Sequence, residues 1–168
     1  VLGTDGQGWD ASSIRAYEAG IGILSTLRIT NSAFTGNPQA ECGTQGDGKS
    51  SIYIVDSYVD MDTLSISQNA YGIFLKGTSG TLTNSNIAGV NCNGVDTNGH
   101  KSTGTIDHVL HVNNNTITTG EGAPFTAYDA AIVEFNDNTI SGASEGSGIG
   151  VRDSTVIANR NVIGPIGK

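Results

Sequence analysis

Asp107, Asp129 and Asp153 stand ten, eleven and nine residues before the apolar residues Ile117, Ile140 and Val162. If those apolar residues superpose in stacked strands, the three carboxylates form a column with neighbours about 4.8 Å apart. Two unit charges at that distance repel by roughly 1 kcal/mol in water and by several times that near a protein surface. Such a column favours a cation or a proton. Calcium, which takes several carboxylate and carbonyl oxygens, is its natural occupant. Solvated turn aspartates that do no shared chemistry are the alternative reading.

The remaining reactive side chains carry weaker signals. His100, His108 and His111 are close in the chain, but on an extended strand His108 and His111 point to opposite faces, which favours surface histidines over a metal cluster. Cys42 and Cys92 lack CxxC or histidine-ligand spacing, which argues against zinc. They are either two free or half-buried thiols or a single disulfide joining loops of an extracellular domain. Asn114, Asn115 and Thr116 make an N-x-S/T sequon, which permits a glycan in a compartment that supplies one.

The elements that must position these groups are written as a repeat. NSAFTG (31 to 36), DSYVDM (56 to 61), NSNIAG (84 to 89), NNTITTG (114 to 120), DNTISG (137 to 142) and NRNVIG (159 to 164) are variants of one hexad. Their apolar anchors are Phe34, Val59, Ile87, Ile117, Ile140 and Val162, at irregular steps around one mean. That pattern marks a solenoid whose coils tolerate loop insertions, because each coil packs only on its neighbours. Three residues before each anchor stands Asn31, Asp56, Asn84, Asn114, Asp137 or Asn159. Short polar side chains close tight turns by bonding nearby backbone, and Asn stacked on Asn can also bond along the axis. These six residues are the expected turn ladder.

A second strand with glycine in front precedes several anchors, as in GIGIL (20 to 24), YGIFL (71 to 75) and GIGV (148 to 151), and more loosely AAIVEF (130 to 135). Short alternating runs of Ile, Val and Leu put one face into a narrow core and the other into solvent. Residues 1–19 fall outside the pattern and read as an N-terminal cap or an extra strand. DASSIRAYEAG (10 to 20) supports a short helix capped at Asp10 or Ser12, or else a strand over SIRAYE, with Trp9 covering the open core. Residues 20–168 read as the solenoid.

Together these features resemble the parallel β-helix repeat of the pectate-lyase-like superfamily, over about Gly20 to Gly164. The resemblance implies an all-β, single-stranded, right-handed parallel β-helix of about six to seven coils. It also implies two kinds of enzyme chemistry, that of calcium-dependent lyases and that of related hydrolases, in which close aspartates do acid/base work. In β-helix lyases, acidic residues on one face bind calcium that neutralises a uronate, and an Arg or Lys removes the adjacent proton. On that reading Asp107, Asp129, Asp153 and Arg152 are the catalytic and metal-binding candidates, with Lys101 a further base. The superfamily's hydrolase signature, an NTD strand with paired aspartates and a GHG loop, is absent, and so is the DPH signature of alginate epimerases.

Composition narrows the partners. The 168 residues carry a net charge of −8, with 16 acidic and 8 basic side chains, which argues against nucleic acid or an anionic membrane. No apolar run approaches the roughly 20 residues that span a bilayer. The sequence favours an extracellular or cell-surface structural module of surface-layer, fibre or adhesion type. It is expected to contact polysaccharide or surface glycan, to self-associate through open solenoid ends, and to belong to a larger protein or assembly. The alternative is a polysaccharide-active enzyme, either a calcium-dependent lyase or epimerase or a hydrolase.

Overall fold

The computed structural model describes residues 2–3, 14–16, 25–36, 42, 50–99, 109–144 and 146–167. Along the chain they form β1 (Leu2–Gly3), β2 (Ile14–Ala16), β3 (Ser25–Thr30), β4 (Ala33–Thr35), β5 (Ser50–Val55), β6 (Ser57–Asp62), β7 (Ser65–Ser67), β8 (Tyr71–Lys76), β9 (Ser79–Thr83) and β10 (Asn86–Val90). The series continues with β11 (Val95–Asn98), β12 (Val109–Asn113), β13 (Thr116–Thr119), β14 (Phe125–Tyr128), β15 (Ile132–Asn136), β16 (Thr139–Gly142), β17 (Ile149–Arg152), β18 (Thr155–Asn159) and β19 (Val162–Ile166). Every third strand returns to the same sheet. Sheet A stacks β1, β4, β7, β10, β13, β16 and β19; sheet B stacks β2, β5, β8, β11, β14 and β17; sheet C stacks β3, β6, β9, β12, β15 and β18. All neighbours are parallel. The described chain is therefore an all-β parallel solenoid of six three-strand coils and one further strand.

Alternation within each short strand builds the core. In β6, Val59 and Met61 are buried while Tyr58 is exposed; in β12, Leu110 and Val112 are buried between half-buried neighbours. In-register pairing lines the inward residues up along the axis. Phe34, Ile66, Ile87, Ile117, Ile140 and Ile163 form the column of sheet A. Ile52, Ile73, Val95, Phe125 and Ile149 form one in sheet B, and Met61, Leu82, Val112 and Phe135 one in sheet C. Phe125 and Phe135 meet across the interior with ring centroids 4.4 Å apart. Each fully buried Ile, Leu or Phe contributes about 1.5–3 kcal/mol, so the columns are the main favourable term.

The column of sheet A corrects two expected anchors. Val59 belongs to sheet C, and Ile66 takes its place; Ile163, not Val162, follows Ile140. The two corners that flank sheet C are chemically alike, which explains the first error. At the corner between sheets C and A, Asn31, Thr63, Asn84, Asn114, Asp137 and Arg160 all adopt positive φ. At the corner between sheets B and C, Asp56, Asp129 and Asp153 do so, and Gly77 with them. Short polar residues tolerate this left-handed backbone best. Thr63, being β-branched, gives no sequence signal for the corner it actually makes.

The axial ladder also lies one or two residues beyond the expected positions. Asn115, Asn138 and Asn161 stack at the corner between sheets C and A. Asn115 N and Nδ2 donate to Asn138 Oδ1 at 2.9 and 3.1 Å, and Asn138 N and Nδ2 donate to Asn161 Oδ1 at 2.8 and 3.1 Å. Their amides also donate to the carbonyls of Leu82, Val112 and Phe135. Ser85 N extends the ladder by donating to Asn115 Oδ1 at 2.9 Å. Of the expected ladder, Asn31, Asn84, Asn114 and Asp137 occupy the preceding left-handed position, Asp56 sits at the other corner, and Asn159 ends β18. There Asn159 Nδ2 donates to Asn136 Oδ1 at 3.0 Å.

The helical reading of residues 10–20 is corrected as well. Ile14–Ala16 is a strand paired with Ile52–Ile54, because docking on an existing sheet satisfies backbone groups that a short isolated helix would leave to water. Trp9 and the segment GIGIL lie outside the described residues. Among those described, no helix is long and apolar enough to cross a membrane.

Candidate functional site

Sheet B carries the candidate site on its outer face. Ile73, Val95 and Phe125 point into the core, and so do Leu75 and Ala127. The residues between them, Phe74, Asp96 and Thr126, therefore point outward. In register they form one row, Tyr53, Phe74, Asp96, Thr126 and Gly150. Tyr53 and Phe74 stack with centroids 5.1 Å apart. The centre of the row is closed to solvent: Asp96 is 1% exposed.

That burial defines the electrostatics. Asp96 Oδ1 accepts from Asn93 Nδ2 at 2.8 Å and from the Thr126 hydroxyl. Loss of hydration outweighs these two bonds, and the carboxyl is pushed up to about 6 from the ordinary 3.8. Asp62 and Asp137 show the opposite behaviour at the surface. Hydrogen bonds from Thr63, Asn84 and Thr83 hold Asp62 below the usual range, and the hydrogen-bonded Arg160 guanidinium does the same for Asp137.

Beside Asp96 opens a cavity of about 400 Å³. Cys42 and Cys92 form a disulfide at its wall, with sulfurs 2.08 Å apart, so the disulfide alternative for the two cysteines holds. Tyr71, packed with Cys92 and Ala70, and the half-buried Tyr128 supply aromatic walls. Asn93, Glu121 and Thr126 supply polar atoms, and Gly122, Gly146 and Gly150 leave the backbone close to the space. Two of the polar groups, Asn93 and Thr126, are the donors to Asp96, so the buried carboxyl is coupled to the cavity lining.

The expected aspartate column divides. Asp129 and Asp153 do stack, one coil apart, at the corner between sheets B and C, where Ala130 N donates to Asp153 O at 2.7 Å. Asp107 lies outside the described residues, as do Lys101, His100 and His108. Arg152 lies 3.7 Å from Asp129 Oδ1 and places its guanidinium 4.8 Å from the Tyr128 ring centroid. Asp129 thus already faces a cation, and two carboxylates supply fewer oxygens than the six to eight that calcium takes. Among the described residues, no group of three or more His, Cys, Asp or Glu side chains is placed to hold a metal ion. His111 is on the outer face of sheet C, 2.9 Å from Glu134 Oε2. The sequon residue Asn114 is exposed at its corner, and the buried ladder amide is Asn115.

Sequence reasoning missed Asp96, Asn93, Glu121, Thr126, Tyr71 and Tyr128. The available signal was Asp96 within GVDTN, an acid inside a strand three residues after a cysteine-asparagine pair. No family model, no curated protein and no solved structure matches this chain.

Proposed function

We propose that the chain is a structural module of an extracellular or cell-surface protein, a right-handed parallel β-helix of the pectate-lyase-like kind. Its cavity on sheet B contacts a glycan. The cavity beside the disulfide carries this reading, because its volume, its tyrosine walls and its few convergent polar groups suit a sugar unit. Two further observations support it. The disulfide suits an oxidising compartment, and parallel strands joined in coil order favour a right-handed path.

The test is exposure of the disulfide-bonded chain to a panel of neutral, acidic and amino-bearing polysaccharides, with binding and new reducing or unsaturated ends both measured. Binding without product supports the module. Binding with turnover replaces it by the polysaccharide-active alternative, and no binding removes the glycan contact.

A second reading is self-association at the last coil. Val151, Ile157, Val162 and Ile163 are exposed there, and Ile163 continues a core column that is buried in earlier coils. Sedimentation should show concentration-dependent growth that Ile163→Lys abolishes. Growth unchanged by that substitution places the contact elsewhere.

A further inference from the structure

The charge on the described lining of the sheet B cavity has one sign. The one charged side chain among its described lining residues is Glu121, an exposed carboxylate, and no Lys, Arg or His joins it. The guanidinium of Arg152 is turned to Asp129 and to the Tyr128 ring. Asp96 adds to this bias from beneath. The Thr126 hydroxyl spends its only proton on Asp96 Oδ1, so toward the cavity Thr126 can only accept. Asn93 Nδ2 is also directed to Asp96, while Asn93 Oδ1 takes Ala123 N at 3.0 Å and keeps a second lone pair. The site is rich in acceptors, negative at its rim and aromatic on its walls. A uronate would meet like charge there, and among the described lining residues only neutral donors, the hydroxyls of Tyr71, Tyr128 and Ser147 among them, with no cationic side chain to neutralise it. An ammonium group has three donors, no lone pair and the complementary charge, and tyrosine faces attract cations.

We propose that this cavity binds a glycan bearing free amino groups, with an ammonium at Glu121 and the acceptors of Asn93 and Thr126. The inference rests on the glycan reading above and narrows its ligand class.

The test is calorimetric titration of the intact, disulfide-bonded chain at mildly acidic pH with three oligomers of equal length: glucosamine, N-acetylglucosamine and a uronate. The glucosamine oligomer should bind tightest. Glu121→Gln should weaken it roughly fivefold while leaving the N-acetylated oligomer unaffected, the loss expected for one partly screened ion pair. Equal or tighter binding of the acetylated or uronate oligomer overturns the amino-sugar inference and leaves the glycan reading standing. Unchanged glucosamine affinity in Glu121→Gln overturns the placement at Glu121. If none of the three binds, the inference and the glycan reading fall together. Circular dichroism of Glu121→Gln serves as the control for folding, which should be intact because Glu121 is exposed and contacts Asn91 O through its backbone N–H.

Discussion

Replacing Asp96 by asparagine should stabilise the protein at neutral pH and do nothing at acid pH. The amide oxygen of the substituted side chain would still accept from Asn93 Nδ2 and the Thr126 hydroxyl, both of which bond a single carboxylate oxygen in the parent. The substitution removes the charge and exchanges the other carboxylate oxygen for an NH2 group. In the folded chain burial pushes this carboxyl up to about 6, against 3.8 ordinarily. Between those values the folded state holds more protons than the unfolded state, so its stability falls as pH rises through the window and stays low above it. A shift of about two pH units corresponds to about 3 kcal/mol. Urea unfolding of both forms from about pH 4 to pH 8 should therefore give equal stabilities at the acid end. At the other end Asp96→Asn should lead by up to about 3 kcal/mol, or several degrees in Tm. A difference that does not change with pH, or a variant less stable at the upper end, would refute the argument that desolvation dominates at Asp96.

Three further perturbations test the coil itself. Asn138→Ala should cost about 3 kcal/mol in denaturant unfolding, because it strips partners from Asn115 N and the Val112 carbonyl at a buried corner; Asn138→Asp should also destabilise, having lost the amide donor. Gly80→Ala should cost about 2 kcal/mol or more, since φ is +115° and the new Cβ would lie 2.0 Å from Val59 O; Gly89→Ala, at φ +68° with the new Cβ no nearer than 3.9 Å to Gln68 N, should cost about 1 kcal/mol, and thermal melts will rank the two. Replacing Cys42 and Cys92 by serine opens a loop spanning 50 residues and should lower unfolding free energy by about 4 kcal/mol, measured against the oxidised parent. A loss of under about 1 kcal/mol there would show that the clasp constrains little of the unfolded chain.

The sequence by itself determined that this is a stack of short parallel strands. Alternating Ile, Val and Leu fit a half-buried strand whatever the neighbours are. An Asn or Asp ahead of a strand marks many of the left-handed corners, because the preference is local to one residue's backbone. Asn31, Asn84, Asn114 and Asp137 were legible for that reason. Register was not local. Successive members of the sheet A column are separated by steps of 32, 21, 30, 23 and 23 residues, and the insertions that make these unequal carry no mark of which corner they extend. Packing the core assigned Ile66 in place of Val59.

The tertiary structure also chose which amide faces inward. Adjacent residues such as Asn114 and Asn115 are chemically identical in the sequence, and only the turn of the backbone buries the second. The site depended most on the fold. Asp96 looks like any strand aspartate until Phe74 and Thr126 stand beside it in neighbouring coils and exclude water. Asn93, Glu121 and Tyr128 converge because coils some 30 residues apart in sequence lie about one strand spacing apart in space. Local preference wrote the repeat, and stacking, which acts between residues far apart in the chain, placed its chemistry.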